Sequence, residues 1–156
     1  MAKLHDNTLR LAESLIKGAK FGSAAPRRAV SRAYYSVFQR LSSLCASRLS
    51  GDDAWSEEYR RLYRSLDHKQ VRQSLNRSIY KDDVGTRFEQ LQDVRHWADY
   101  SIAPHPDPDV SRTGKRFSVG EANVYLNKAR EAIQFVDALD PADQLKLVIL
   151  LIVRDR

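Results

Sequence analysis

The sequence predicts an all-α fold, an antiparallel bundle of about five to six helices. Apolar residues recur with a period near 3.6 along almost the whole chain, and no segment shows the alternation of a strand. The 156 residues, 42% of them hydrophobic and 29% charged, suffice for one domain with a buried core. We therefore expect a single domain over residues 1–156, with its core over about residues 7–139.

Three helices are predicted in the N-terminal half. The first covers about residues 8–19, with Asn7 as its N-cap. The second covers residues 26–49 and is the longest. Its inward stripe consists of Val30, Ala33, Tyr34, Val37, Leu41, Leu44, Cys45 and Arg48. The third starts near Asp53 and continues to about residue 75, with a break at Asp67.

The fourth helix begins near Asp82 or Asp83 and ends near residue 102. Its inward stripe consists of Val84, Phe88, Leu91, Val94, Ala98 and Ile102. Residues 103–117 contain three prolines and are predicted to form a loop, long enough to be functional or mobile. Ser118 and Glu121 form a capping-box pattern, which opens the fifth helix.

The last helix, residues 141–153, opens at Asp140 and Pro141 and ends in the run LKLVILLIV. The β-branched residues of this run would suit a strand, but the Asp-Pro start and the lack of any other strand favour a helix. On a helix the run is apolar on every side, which is typical of a helix that is covered from two directions. We expect the second subunit of a homodimer to pack against the second side of this helix.

Charge is distributed unevenly along the chain, whose formal net charge is +6. Residues 20–77 carry 12 Lys and Arg against 5 Asp and Glu, whereas residues 78–156 carry 11 against 13. A basic half attracts RNA or another polyanion. It could equally meet the acidic half of a second copy, or simply form solvated helix faces.

Several function classes lack their sequence signatures. The single cysteine cannot form an internal disulfide, and Cys45 lies on an inward stripe, where an unreactive buried thiol is expected. The sequence contains no HExxH, CxxC or GxSxG motif and no glycine-rich phosphate loop. The charged N-terminal segment argues against a signal peptide, and the apolar run 147–153 is too short to cross a bilayer. We therefore expect a cytoplasmic protein with no membrane span, no metal and no cofactor.

Two groups of side chains are candidate functional features. On the fourth helix, Arg95 and Asp99 are spaced i, i+4 within the same arc as the inward stripe. Such a pair either lines a groove or acts as a structural clamp at the end of the core. On the second helix, a strip of polar and aromatic residues suits phosphate and base contact, a subunit interface or a solvated face. It consists of Arg28, Arg32, Tyr35 and Gln39.

The four histidines are weak signals on their own. His5 is predicted in an N-terminal tail, and His96 points away from the inward stripe of the fourth helix. His68 follows Arg61 with six residues between them. His105 begins the run HPDPD, where a His-Asp-Asp metal site is conceivable, although the adjacent prolines favour an extended segment.

Two segments together resemble a known family. The run RRAVSRAYYSVFQRL, residues 27–41, resembles the signature helix of HEPN domains, most closely that of minimal single-domain prokaryotic HEPN proteins. The run LQDVRHWADYSI, residues 91–102, is similar to their second signature, an Arg followed by Ala-Asp-Tyr near a helix end. The resemblance covers roughly residues 7–139, and the two motifs are more specific as a pair than alone.

The resemblance implies a helical bundle that dimerises, with a cleft between the subunits. Many HEPN proteins are metal-independent endoribonucleases, often toxins or anti-phage effectors. Several are encoded beside a small nucleotidyltransferase, which serves as their partner or antitoxin. Other members have lost catalysis and act as binding modules.

Nucleases of this family carry an Arg, then four to six residues, then a His. The His would act as acid or base on the RNA 2′-hydroxyl, and the Arg would hold the phosphate. In this chain Arg95 has no His at that spacing, since His96 is adjacent and His105 is too far. The formal match is Arg61 with His68, which lies outside the second signature.

Two hypotheses follow. In the first, the chain is a dimeric HEPN-type protein that binds RNA or a nucleotide, and it is a metal-independent endoribonuclease if it is catalytic. The residues expected to line its groove are Arg32, Tyr35, Arg95, Asp99 and Tyr100. His68 or His96 would be the acid–base residue. In the second, the chain is an inactive HEPN module that associates with a partner such as a nucleotidyltransferase, and the pair of Arg95 and Asp99 is architectural.

Overall fold

The structure, a computed structural model, describes residues 3–18 and 24–153. Within these residues the protein is all-helical, as predicted, with eight α-helices and one π-helical turn. The α-helices are α1 Leu4–Lys17, α2 Ala24–Ser50, α3 Glu57–Tyr63, α4 His68–Asn76, α5 Thr86–Tyr100, α6 Pro108–Arg112, α7 Val119–Ala138 and α8 Pro141–Ile152. The π-helical turn covers Lys81–Gly85 and leads directly into α5.

Helix α2 lies at the centre of the bundle and contacts α1, α3, α5, α7 and α8. The apolar members of its predicted inward stripe are all buried. Arg48, the last member predicted, is exposed, and its Nε donates to Gln144 Oε1 of α8 at 2.9 Å. Because neighbouring helices cover α2 on several sides, Ala29, Ser36 and Ala46 are buried as well. The inward-facing residues of the signature are therefore held in the core, whereas Arg28 and Arg32 are exposed.

Helix α1 begins earlier than predicted, at Leu4, and its N-cap is Lys3 rather than Asn7. The predicted end near residue 19 lies outside the described residues, and the helix ends at Lys17. His5, predicted in a tail, is inside the helix and only 3% exposed. Burial lowers the pKa of the His5 ring, so it is neutral at pH 7.

The predicted break at Asp67 is confirmed and divides the third predicted helix into α3 and α4. The Asp67 carboxylate accepts a hydrogen bond from the backbone N–H of Gln70 at 2.9 Å, which caps α4. Ser56 caps α3 in the same way. Because α4 begins directly after this cap, His68 becomes its first residue and is held beside α2.

The π-helical turn before α5 depends on a close approach of two backbones. A Cβ atom on Gly85 would lie 3.1 Å from the backbone C and O atoms of Leu75 in α4 and 2.9 Å from Asn76 Oδ1. A larger residue would therefore push α4 away from α5. These two helices carry His68 and Arg95, so glycine at this position helps to set their separation.

Helix α5 ends at Tyr100, where Ser101 adopts an extended backbone conformation. The prediction that Ile102 faces the core is wrong, because the helical phase is lost after Tyr100 and Ile102 is fully exposed. The indole of Trp97 occupies this end of the core instead and is 8% exposed. The other predicted inward residues are buried or packed against the core.

Arg27, the first residue of the HEPN-like signature, fixes the C-terminal end of α5. Its guanidinium carbon lies 4.2 Å from the centroid of the Trp97 ring, and its Nη1 donates to the Ser101 carbonyl at 2.7 Å. Its Nη2 donates to the Ala103 carbonyl. This arginine therefore ties α2 to the end of α5 just beyond the predicted site residues.

The segment 103–117 is not a simple loop, because residues 108–112 form the short helix α6. The predicted capping box between Ser118 and Glu121 is present at the start of α7. The last predicted helix is confirmed as α8, capped by the Asp140 side chain. Leu147, Val148 and Leu151 of α8 are buried, and its opposite face is about half exposed. Among the described residues, no helix is long and apolar enough to span a membrane.

Candidate functional site

The two consecutive tyrosines of α2 connect α4 with α5. Successive helical residues project about 100° apart, so Tyr34 and Tyr35 reach different neighbours. The hydroxyl of Tyr34 is hydrogen-bonded to Nδ1 of His68 on α4 at 2.5 Å. The hydroxyl of Tyr35 accepts from Nη2 of Arg95 on α5 at 2.7 Å. His68 and Arg95, which are distant in sequence, are therefore both bound to adjacent tyrosines of α2. We call Tyr34, Tyr35, His68 and Arg95 the Tyr-Tyr site.

The imidazole of His68 is positioned by aromatic contacts. It stacks on the ring of Phe38, with ring centroids 3.8 Å apart and an angle of 19° between the planes. Partial desolvation lowers the pKa of His68, the positive charge of Arg95 lowers it further, and Asp67 opposes the shift. The ring is therefore neutral at pH 7. No described residue forms a hydrogen bond with Nε2, so this nitrogen is available to a ligand.

The guanidinium of Arg95 is held on two sides. Its Nε lies 2.8 Å from Oδ2 of Asp99, one helical turn further along α5. Its central carbon lies 5.3 Å from the centroid of the Tyr35 ring and 5.5 Å from that of Tyr100. The side chains of Arg95 and Asp99 are 22% and 30% exposed, which places the pair at the rim of the core. No described residue accepts a hydrogen bond from Nη1 of Arg95.

A polar groove of about 590 Å³ lies between α4 and α5, next to the Tyr-Tyr site. Lys69 and Arg72 line it from α4, and Arg95 and His96 line it from α5. The Arg72 guanidinium is neutralised by Glu89 and Asp93, with N–O distances of 2.5 and 2.7 Å. Lys69, Arg77 and Arg95 are the other cations that line this groove.

The structure brings together most, though not all, of the site residues predicted from the sequence. His68, Tyr35, Arg95, Asp99 and Tyr100 form one connected group. The exposed ring of His96 lies 5.1 Å from that of Tyr100, at the edge of the group.

Two arginines that the sequence linked to the site are placed differently. Arg32 is exposed on α2 and makes no hydrogen bond or ion pair with any described residue. Arg61 and His68 match the Arg–His spacing of HEPN nucleases in sequence, but their side chains do not contact each other. The positive charge that acts on His68 belongs to Arg95.

Sequence reasoning missed Tyr34 and Phe38 as site residues. Tyr34 was placed in the core, and it is completely buried, yet its hydroxyl reaches the site. Its burial raises its pKa, so the hydroxyl stays protonated. Phe38 follows Tyr34 by one helical turn, and their rings stack with centroids 6.4 Å apart. This i, i+4 aromatic spacing is the signal that could have identified the pair.

His105 has a structural partner. Its Nδ1 accepts a hydrogen bond from the backbone N–H of Asp107 at 3.0 Å, so Nε2 carries the proton and lies 2.6 Å from Oε1 of Glu121. The Asp107 carboxylate caps α6 instead of facing His105. The conceivable His-Asp-Asp arrangement is therefore not formed. Among residues 3–18 and 24–153, no group of three His, Cys, Asp or Glu side chains is placed to hold a metal ion.

The contact between His105 and Glu121 makes stability depend on pH. Burial raises the pKa of the Glu121 carboxyl, but hydrogen bonds from His105 and from the backbone and side chain of Ser118 outweigh it and lower the pKa to about 2. The stabilisation that the ionised Glu121 carboxylate provides is complete at pH values above the ordinary pKa of glutamate. It is lost as pH falls toward 2. We expect Glu121→Gln to cost about 1–2 kcal/mol at pH 7, allowing for solvent screening, and almost nothing near pH 2.

Urea unfolding of the wild type and Glu121→Gln across this pH range measures the difference. Glu131→Gln on the same helix is the control, because it removes only the exposed ion pair with Arg87 and should cost less than about 1 kcal/mol. A cost of Glu121→Gln that stays constant with pH would contradict the assignment of the pKa shift to this contact.

The remaining candidate nucleophile, Cys45, is not reactive. It is completely buried in the core, and burial raises the pKa of its thiol to about 12. The thiol is therefore protonated at neutral pH and cannot act as a nucleophile.

Comparisons with protein-family models, with curated proteins and with solved structures find no significant match to this chain. The resemblance to HEPN domains therefore depends on the two sequence motifs.

Proposed function

We propose that this chain is a HEPN-type protein that binds RNA or a nucleotide at the Tyr-Tyr site. The observation that supports the proposal is the convergence of His68 and Arg95 on two adjacent tyrosines. Both HEPN-like motifs contribute to this convergence, since Tyr34 and Tyr35 belong to the first and Arg95 to the second. The two motifs that carry the resemblance thus meet at one place in the fold.

The chemistry of the site suits a phosphate next to a base. Arg95 has a nitrogen, Nη1, with no protein acceptor among the described residues, and a guanidinium that binds phosphate through parallel N–H groups. The rings of Tyr35 and Tyr100 flank it, and aromatic faces stack on bases without regard to sequence. The excess of positive charge in residues 20–77 adds a general attraction for a polyanion.

His68 is the group that would make the site catalytic. A neutral imidazole can take the proton of an RNA 2′-hydroxyl at Nε2, and the resulting imidazolium can return a proton to the leaving 5′-oxygen. The Tyr34 hydroxyl both donates and accepts, so it can hold Nδ1 in either tautomer. We infer that the activity best suited to this site is metal-independent endoribonuclease cleavage, in the setting of a toxin–antitoxin or defence system.

The proposal extends to the assembly. A homodimer, with a nucleotidyltransferase as a further partner, is the arrangement that the resemblance implies. The half-exposed outer face of α8, with Leu145 and Ile149 at 41% and 48% exposed, is available to a second subunit.

RNA binding by Arg95→Ala is the direct test. We expect the variant to keep its fold, because the pair with Asp99 lies at the rim of the core and rim pairs contribute about 1 kcal/mol or less. We expect its affinity for labelled mixed RNA to fall about 10–100-fold through the loss of charge-assisted hydrogen bonds. Fluorescence anisotropy measures binding, and thermal unfolding measures stability.

Arg87→Ala is the matched control. Arg87 also lies on α5, its side chain is 30% exposed, and it is paired with Glu131 at 2.9 Å. It should lose a similar amount of stability and much less RNA affinity. If Arg95→Ala binds RNA normally but loses about 3–5 kcal/mol of stability, the pair is architectural. The inactive interaction module would then be the better hypothesis.

A further inference from the structure

A second cleft lies beside α3 and shares no lining residue with the Tyr-Tyr site. It has a volume of about 410 Å³ and is walled by the start of α1, the middle of α2, and α3 with the segment before it. We call it the α1–α3 cleft. Its size is in the range of pockets for small organic molecules, roughly 300–1,000 Å³.

The interior of the α1–α3 cleft is largely apolar and aromatic. Tyr59 and Tyr63, one helical turn apart on α3, line it with rings that are nearly parallel, at 18° and with centroids 6.3 Å apart. Leu4 and Ala54 add aliphatic surface. Leu4 is 57% exposed, although it is a large hydrophobic residue at the start of a helix. Aromatic side chains and open aliphatic surface favour a ligand with an aromatic ring.

The charges around this cleft are all of one sign. Lys3, Arg60 and Arg64 line it, and no Asp or Glu does. The side chains of Lys3 and Arg64 form no hydrogen bond or ion pair with any described residue, and Arg60 makes only a long bond, 3.4 Å, to the Ser56 carbonyl. His5 adds no charge, because burial lowers its pKa. Three uncompensated cations around an apolar interior favour an anion.

The cleft also contains unused polar groups. The hydroxyl oxygen of Tyr63 is buried and has no hydrogen-bond partner among the described residues. Burial raises its pKa, so it remains a donor. Gln39 presents an amide whose oxygen already accepts from Thr8 at 2.8 Å. A buried donor without an acceptor is costly, by about 1–3 kcal/mol.

We propose that the α1–α3 cleft binds a small aromatic anion, with its ring against Tyr59 and Tyr63 and its charged group between Lys3, Arg60 and Arg64. This site is separate from the Tyr-Tyr site and does not depend on RNA binding. The bound molecule would bridge α1, α2 and α3, and α3 has no completely buried residue of its own. Occupation of the cleft would therefore fix α3 more firmly on the bundle.

Isothermal titration calorimetry with three matched probes tests the proposal. The probes are 2-naphthoate, 2-naphthyl phosphate and the neutral 2-naphthamide, which share one ring system. We expect either or both anions to bind at least about tenfold more tightly than the amide, since guanidinium pairs with carboxylate and phosphate through charge-assisted bonds. The stronger anion identifies the head group. Equal binding of all three probes, or no binding of either anion, would overturn the proposal.

Four variants test the location. Arg60→Gln combined with Arg64→Gln should weaken the anions toward the level of the amide, with Lys3 still contributing to their binding. Arg112→Gln, which changes an exposed arginine on α6, should change nothing. Ala54→Trp should abolish binding of all probes by filling the cleft. Leu4→Trp repeats the blocking experiment from α1. All of these positions are exposed, so the fold should be retained. Unchanged anion binding in both blocked variants would place the ligand elsewhere and refute the proposal.

Discussion

Replacing His68 with alanine is expected to abolish cutting of mixed RNA in the presence of EDTA. Loss of a general acid or base typically costs about 10²–10⁴-fold in rate. The ring is held by the hydroxyl of Tyr34 at 2.5 Å and by stacking on Phe38, so its Nε2 has a fixed position. His96→Ala is the internal comparison. The His96 side chain is exposed and contacts Tyr100 instead of the two tyrosines of α2. The variant should therefore retain most of the activity.

The pH dependence of cutting gives this prediction a second readout. Because the pKa of His68 is lowered, the imidazole stays neutral below its ordinary value of about 6.5. Activity that needs the neutral ring should therefore persist below pH 6.5 and fall only at lower pH. Arg95→Gln removes the neighbouring positive charge and should raise the pKa of His68, which NMR titration of the ring measures without any cleavage assay.

The outcomes separate the two hypotheses for this protein. Cutting that is lost in His68→Ala and kept in His96→Ala would identify the acid–base residue. Cutting lost only in His96→Ala would move the chemistry to the groove between α4 and α5. No cutting by folded wild-type protein would contradict the ribonuclease hypothesis, and the search would turn to a protein partner.

The sequence predicted the helices well and the site incompletely, for a physical reason. A helical stripe follows from periodicity, so Tyr34 was correctly placed in the core of α2. Its contact with His68 depends on where α4 lies against α2, and that is set by a turn at Asp67. Periodicity reports which face of a helix is buried and carries no information about what covers it.

The same limit explains one feature that the sequence misplaces and one that it predicts only in part. Ile102 fits the inward arc of α5 only if the helix continues, and it ends two residues earlier because Arg27 and Trp97 bind the carbonyls beyond it. Glu121 was recognised as half of a capping box with Ser118. Its second partner, His105, requires that the proline-rich segment fold back onto α7, which no local pattern indicates.

The contacts of Arg95 are partly predictable from the sequence. Its pairing with Asp99 follows from the i, i+4 spacing and is present at 2.8 Å. Its hydrogen bond with Tyr35 joins residues 60 positions apart and depends on the packing of α5 against α2. Local spacing therefore predicted the ion pair, and the tertiary structure determines which aromatic rings accompany it.

The ion pair between Arg40 and Asp137 leads to the largest expected loss of stability. Nε of Arg40 lies 2.5 Å from Oδ1 of Asp137, which joins α2 to α7. The Arg40 side chain is 9% exposed, whereas that of Asp137 is 48% exposed. Asp137→Ala would leave a buried guanidinium whose remaining side-chain acceptor, the Ser43 hydroxyl, is 3.5 Å away. An unpaired buried charge costs about 3–5 kcal/mol.

We expect Asp137→Ala to cost about 3 kcal/mol, the lower end of that range, because water can approach the half-exposed position of the missing carboxylate. For a chain of this size the melting temperature should fall by about 6–12 °C. Thermal and urea unfolding measure the change. Asp109→Ala is the control, since it breaks a fully solvated pair with Arg112 and should cost about 0.5 kcal/mol or less.

A second substitution distinguishes a stranded charge from a simple loss of contact. If the cost arises from the unpaired guanidinium, Arg40→Met in the Asp137→Ala background should recover most of the lost stability, because a similar apolar volume replaces the buried charge. If the cost arises from lost packing between α2 and α7, the double variant should be less stable than either single variant. Recovery would also show that Asp137, although half exposed near the end of α7, stabilises the protein by pairing with the buried Arg40.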